Sequence, residues 1–278
     1  MKSSLAAIRA HVPVPLVGLG PVVALALALT GCPAVYPELG TRTRPMTAGQ
    51  ALDVAPPAEL RWMRFVSARV PERTRDGRAW SASGKASPYA KLLVSGKELF
   101  RTTVQSNTLE PTWPDAPRGN FKIGPTDRLR LELWDSDPLN DKPIGAQDVG
   151  QPGEQQLMDK QIRVIFDDGG EVVLAFEPAH PVQGLGLWYE LRTESCYLTR
   201  LLEGSPAERA GLKPGDEVLK IGPREAKTMS ADDVKSSFNA VPLDGLALTV
   251  KHAAGAVSDV TLKEGPIYPT FAQFGPID

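Results

Sequence analysis

Leu129, Leu131 and Leu133 alternate with Arg130 and Glu132, and that period of two commits this part of the chain to a half-buried strand. An apolar residue at every second position lines one face of a pleated strand, so the run is satisfied only by a second layer packed against that face. Strand-like runs also stand at Arg61–Val70, Tyr89–Val94, Glu98–Val104, Ile162–Phe166 and Glu171–Phe176. The 26 prolines and 25 glycines punctuate the sequence and impose short strands and many turns. A single stretch, around 230–241, carries a convincing helical period. The predicted fold is mainly β.

Pro178 to Pro181 interrupts the strand pattern and marks a boundary. Before it, residues 59–178 read as an antiparallel sandwich; after it, 182–265 form a second, smaller module, and 266–278 a short tail. Residues 32–58 carry Pro33, Pro37, Pro45, Pro56 and Pro57 without an apolar period and read as a tether. A flexible chain of that length has a reach of about 25–30 Å. No internal repeat is visible.

The first 31 residues have the layout of an export signal: Lys2 and Arg9, an apolar run from Val12, then Leu29-Thr30-Gly31-Cys32. Pro13, Pro15, Pro21, Gly18 and Gly20 break that run, against the roughly 20 unbroken apolar residues that a membrane span needs. The cysteine after Thr-Gly resembles the lipobox of bacterial lipoproteins. The resemblance implies cleavage before Cys32, a diacylglycerol on its thiol, and attachment to the bacterial cell envelope. Pro33 is not the aspartate associated with inner-membrane retention, so the outer membrane is the expected address. Cys196 is then the remaining cysteine, which leaves no disulfide and reads as a small buried hydrophobe.

The formal charge of −2 offers no field for nucleic acid. His180 and His252 lie far apart, without metal-ligand spacing and with no serine in a nucleophile-elbow context. No serine–histidine or serine–lysine constellation is expected, and the chain reads as a non-enzyme.

The first module resembles a C2 domain. The resemblance rests on Ser87-Pro88-Tyr89, Phe100-Arg101-Thr102-Thr103-Val104, Asn107-Thr108-Leu109-Glu110-Pro111-Thr112-Trp113, Trp134-Asp135-Ser136-Asp137 and Ile144-Gly145. It implies calcium bound by loop aspartates, which must supply several of six to eight oxygens. Asp135, Asp137 and Asp141 are present, but Ser81 and Ser87 stand at two positions where the family carries aspartate. A calcium site here is therefore expected to be weak, at roughly 10⁻³ M or beyond, or absent, with the three aspartates capping turns instead.

The second module resembles a PDZ domain of the type attached to bacterial periplasmic proteases. Gly184-Leu185-Gly186-Leu187 opens it, and Gly204-Ser205-Pro206-Ala207-Glu208-Arg209-Ala210-Gly211-Leu212 and Gly215-Asp216 carry the resemblance further. The expected architecture is a small β-barrel with one or two helices. A glycine-flanked loop can turn the N–H groups of Leu185, Gly186 and Leu187 toward a carboxylate, and Leu187–Leu191 offers a strand edge for an extended peptide. Ser230 and Asp233 make a capping box at the start of the helical stretch. The resemblance points Ala231, Lys235 and Phe238 into the groove and Val234 to the core, with Leu187, Tyr189 and Phe238 enclosing the peptide's last side chain.

These expectations converge on a lipid-anchored binding protein without a cofactor. Its partners would be protein C-termini or extended peptides, and its membrane contact would be the acyl anchor. A substrate-delivery or regulatory partner of a periplasmic serine protease is the second reading. A calcium-responsive membrane organiser is the third.

Overall fold

The structure is a computed structural model, and it describes residues 38–47, 52 and 54–277. The expected export signal, with Cys32, lies outside the described residues. Among the described residues no helix is long and apolar enough to cross a membrane.

Two short strands come first, β1 (Leu39–Gly40) and β2 (Arg44–Pro45). There follow β3 (Leu60–Arg69), β4 (Pro88–Val94), β5 (Lys97–Arg101), β6 (Gly119–Lys122), β7 (Leu129–Asp135) and β8 (Lys142–Gly150). A one-turn helix α1 (Glu154–Met158) leads to β9 (Gln161–Ile165) and β10 (Glu171–Pro178). The eight strands from β3 to β10 make two four-stranded antiparallel sheets, in the orders β6-β3-β10-β9 and β5-β4-β7-β8.

The alternation in β7 is expressed as burial. Leu129, Leu131 and Leu133 are fully enclosed, while Arg130 and Glu132 stay on the outer face and pair at 2.9 Å. Across the sandwich, Phe65, Trp113, Leu92, Ile162 and Leu174 fill the same core. Each such side chain contributes about 1.5–3 kcal/mol by leaving water. Trp113 is also tied by its indole N–H to the Thr103 carbonyl at 3.0 Å, so its one polar atom is not stranded.

The second module contains β11 (Val182–Gly184), β12 (Leu187–Arg192), β13 (Ser195–Leu201), α2 (Pro206–Arg209), β14 (Glu217–Ile221) and β15 (Arg224–Glu225). It continues with α3 (Ala231–Asn239), β16 (Leu246–Lys251), β17 (Val257–Leu262), β18 (Gly265–Ile267) and α4 (Phe271–Phe274). The larger sheet runs β1-β12-β13-β14-β16-β17 with β15 beside β14, and the smaller runs β18-β11-β2. Cys196 lies buried in this core, and burial pushes its thiol up to about 12.

Both sheets recruit residues predicted as tether. Leu39 and Gly40 pair antiparallel with Tyr189 and Trp188, and Pro45 and Arg44 pair with Val182 and Gln183. Over its described part, therefore, the tether expected at 32–58 is corrected: residues 39–45 belong to the sheets of the second module.

The tail is likewise built in. Phe271 stacks on Phe121 of the sandwich at 5.3 Å, while Phe274 packs against Trp188 of the second module at 5.4 Å. Between them, the fully buried Asn120 donates to the carbonyls of His180 (2.8 Å) and Pro269 (3.0 Å) and accepts from the His180 N–H at 2.8 Å. The His180 ring lies flat on Trp62 at 4.4 Å, and the Trp62 indole donates to the Ile277 carbonyl at 3.0 Å. The expected connector at Pro178–Pro181 is thus a packed junction.

Candidate peptide groove and loop carboxylates

The loop before β12 is shaped by two bonds to its carbonyls. Leu185 O accepts from the Ala207 N–H at 3.1 Å, and Gly186 O accepts from the Leu202 N–H at 2.8 Å. In a trans peptide the N–H of the next residue points opposite to the carbonyl, so the Gly186 and Leu187 N–H groups turn outward. Gly186 sits at φ +70°, the left-handed region that glycine enters without penalty, and a Cβ there would stand 2.4 Å from Ser205 Cβ. Ser205 caps α2, accepting from the Glu208 N–H, with Pro206 in the first turn.

Helix α3 forms the facing wall. Ser230 and Asp233 close the capping box, and Arg224 pairs with Asp233 at 2.9 Å. Val234 and Phe238 are both buried in the module's core, and the Phe238 ring lies 4.8 Å from that of Tyr189. Leu187 and Tyr189 are buried with them, and burial pushes the Tyr189 hydroxyl up to about 12. Ala231 is half-buried at the edge of the core, and Lys235 is exposed. The structure thus brings Leu187, Tyr189 and Phe238 together and leaves Lys235 in solvent.

The edge of β12 expected to be open is occupied. Leu39 of β1 packs against the core there, and the Thr41 N–H and hydroxyl both donate to the Leu187 carbonyl, at 3.0 and 3.2 Å. The buried Thr41 Oγ1 also stands 3.5 Å from the outward Leu187 N–H, where the resemblance placed a terminal carboxylate. One residue on, the Arg42 N–H donates to Asn239 Oδ1 at the end of α3, at 3.2 Å. Upstream, Glu38 pairs with Arg200 at 2.5 Å and accepts from the Thr199 hydroxyl. The Arg200 guanidinium in turn lies 4.6 Å over the Trp188 ring. Hydrogen bonds from Arg200 and then Thr199 hold the Glu38 carboxyl below its usual range. Sequence reasoning missed this segment, since two paired residues are too few to show a period.

A second arrangement corrects the expectation that no serine–histidine pair forms. His252 Nε2 lies 2.8 Å from Ser258 Oγ, and His252 Nδ1 lies 3.0 Å from Asp216 Oδ2. Asp216 is buried and also accepts from the Lys213 N–H at 2.8 Å, which fixes the turn before β14. Hydrolysis would need, besides this relay, converging N–H donors and a cleft for substrate. Ala253, Ala254, Ala256 and Val257 around it are all exposed, so the serine stands on a protruding hairpin and the relay staples β14, β16 and β17.

The loop aspartates of the sandwich turn inward on their own surroundings. Asp135 is buried and accepts from the Ser87 N–H at 2.6 Å, and burial raises its carboxyl above the usual range. Asp137 accepts from the Leu139 N–H and pairs with Lys142 at 2.7 Å, a bond that lowers its carboxyl. Asp141 accepts from the Tyr89 hydroxyl at 2.7 Å and the Asp137 N–H at 3.1 Å; the Tyr89 bond lowers the carboxyl. Burial, then Asp141, pushes Tyr89 up to about 12. Ser81 donates to the Lys85 carbonyl at 2.7 Å, and Ser87 Oγ accepts from the Asn107 N–H at 3.3 Å. Among the described residues no acidic or histidine cluster is arranged for a metal. The donor set does not fit calcium: two positions carry hydroxyls, and the Lys142 ammonium already supplies the local positive charge.

Two family models match the chain. The C2 domain model covers residues 66–162 and the PDZ domain model covers 175–250. The chain joins a C2 domain to a PDZ domain. A probable CtpA-like serine protease of Staphylococcus aureus (strain COL) is 26% identical over 152 residues, 53% of this chain and 28% of that protein. The counterpart from the bovine strain RF122 / ET3-1 is 28% identical over 85 residues, 31% of this chain and 17% of that protein. The chain therefore spans less than a third of the length of these relatives. Among solved structures, the tandem C2 domains of Extended-Synaptotagmin 2 align at TM-score 0.35 and 19% identity, over 51% of this chain and 49% of theirs. A solved C2 domain aligns at TM-score 0.33 and 19% identity, over 42% of this chain and 96% of its own. C2 and PDZ domains are interaction modules.

Proposed function

We propose that this chain is a non-catalytic binding protein, held to the bacterial cell envelope through Cys32, that captures extended peptide segments in its PDZ groove. The observation that carries the reading is the strand seated antiparallel on β12: the strand edge and the Asn239 side chain engage an extended backbone, and the Leu187 N–H meets the Thr41 hydroxyl. Strand addition supplies affinity through main-chain bonds and specificity through alternate side chains. In this reading the C2 domain serves as a protein- or membrane-contact module that works without calcium.

The test is to titrate peptides with apolar C-termini, as free acid and as amide, against the chain to millimolar concentration. Amide resonances of Leu187–Leu191 and α3 are followed. Shifts confined to those elements support groove capture. A preference for the free acid assigns the outward N–H groups to a terminal carboxylate, and equal response assigns capture to strand addition. No shift with either peptide overturns the proposal. Attachment is tested by Cys32→Ser, which should release the processed chain from membranes, because acyl chains contribute about 0.8 kcal/mol per buried methylene. A second reading, delivery of substrates to a periplasmic serine protease, is favoured by the CtpA-like relatives, and copurification of such a protease with the chain is its test.

A further inference from the structure

The segment seated on β12 has the properties of a ligand. It pairs with β12 through only two residues, against six in the neighbouring β12–β13 pairing, and with β11 through two more, and Glu38, Gly40, Arg42, Arg44 and Pro45 are all exposed. A short, solvent-facing strand at a sheet edge can exchange with another strand without opening the core. Its contacts are also selective at each position.

Glu38 meets the Arg200 guanidinium and the Thr199 hydroxyl. Leu39 reaches the apolar core. Gly40 crosses the face of Trp188 so closely that a Cβ would stand 3.0 Å from the indole nitrogen and 3.2 Å from Cδ1. Thr41 buries a hydroxyl against the Leu187 main chain. The chain then runs on, with Arg42 bonded to Asn239 and Arg44 to Glu264, so no free terminus is used.

The geometry points to Glu38–Pro45 as a built-in competitor for the PDZ groove, and to outside ligands that are internal segments of the same chemistry: an acid, an aliphatic residue, glycine, then a hydroxyl residue. This rests on the groove's role in peptide capture, and it adds the ligand class and the means of control. An intramolecular segment acts at a high effective concentration. An outside peptide therefore binds only the fraction of molecules whose groove is clear. A groove closed nine-tenths of the time weakens apparent affinity about tenfold.

The probe is a fluorescent peptide of the sequence Glu-Leu-Gly-Thr-Arg-Thr-Arg-Pro, capped at both ends, titrated against the full chain by anisotropy. In Gly40→Val the new side chain meets Trp188 and expels the segment. In Glu38→Arg, charge reversal against Arg200 does the same without steric conflict. Both variants should bind the probe at least tenfold more tightly than the unaltered chain, while circular dichroism still shows a folded protein. A probe carrying valine in place of its glycine should lose binding. Equal affinity of the unaltered chain and both variants overturns the competitor while leaving peptide capture standing. Binding of free-acid peptides without binding of this probe by either variant overturns the ligand class. If neither kind of peptide binds any form, both this inference and the groove reading fall.

Discussion

Gly186 and Gly204 make a matched pair for testing how closely the loop before β12 is packed. Their φ angles are +70° and +68°, so alanine at either position incurs the same left-handed backbone penalty, roughly 1–2 kcal/mol. They differ in what the new methyl meets. At Gly204 nothing lies within 4 Å, whereas at Gly186 the methyl would stand 2.4 Å from Ser205 Cβ and 3.2 Å from Ile267 Cγ2. Relieving that overlap must displace the cap of α2 or the β18 strand, and overpacking of this kind costs about 1–3 kcal/mol more. Gly204→Ala should therefore destabilise by about 1–2 kcal/mol and Gly186→Ala by about 2–5 kcal/mol. Because each domain has its own core and can open locally, the readout is hydrogen exchange of the β12–β13 amides, which reports the PDZ sheet itself. A gap of about 2 kcal/mol corresponds to roughly a 30-fold difference in protection. Equal loss of protection in the two variants would refute the argument that Ser205 and Gly186 are in obligatory contact.

Three further outcomes follow from the charged and polar contacts. The Glu38 carboxyl is depressed by Arg200 and Thr199, so its contribution to seating the segment is full above its free value and fades as pH falls through the seated one. Protection of the β12 amides, taken against the intrinsic exchange rate at each pH, should fall as pH drops below the free glutamate value, and a flat profile there would sink the pairing. Calorimetry should find no saturable calcium binding at micromolar concentration, and Ser81→Asp with Ser87→Asp and Lys142→Ala should strengthen it; micromolar affinity in the unaltered chain would contradict the donor count. A fluorophosphonate probe should leave Ser258 unlabelled while Ser258→Ala lowers the thermal midpoint, and labelling that depends on His252 would turn the hairpin staple into a reactive centre.

What the sequence disclosed tracks the range over which each signal acts. The alternation at Leu129–Leu133 is local and appears directly as β7, and the capping pair Ser230–Asp233 marks α3 to the residue. The resemblance points Phe238 to the peptide pocket, whereas the structure buries it in the core with Tyr189 and Val234, a distinction that spacing alone does not make. The Ser258–His252–Asp216 relay is the product of register. Glu217 pairs with Lys251, which sets Asp216 beside His252, and Val250 pairs with Ser258, which returns the hydroxyl to the same spot. No linear spacing encodes that meeting. The seated segment is invisible for a different reason: Glu38–Pro45 lies among prolines and owes its extended form to β12 and β11 rather than to its own composition.

The buried Asn120 and the two phenylalanines of α4 also decide how the molecule behaves as a mechanical object. With Phe271 in one domain, Phe274 against the other and three hydrogen bonds through Asn120, the pair should tumble as one rotor. The PDZ domain joins at the Leu60 end of β3, whereas the loops around Pro71, Trp80 and Lys142 gather at the Arg69 end. Ten residues of strand separate the two ends by roughly 33 Å. If the groove captures peptide as proposed, the C2 sandwich would act as a spacer of set length, keeping what the groove holds at a constant standoff and bearing from what the distal loops touch.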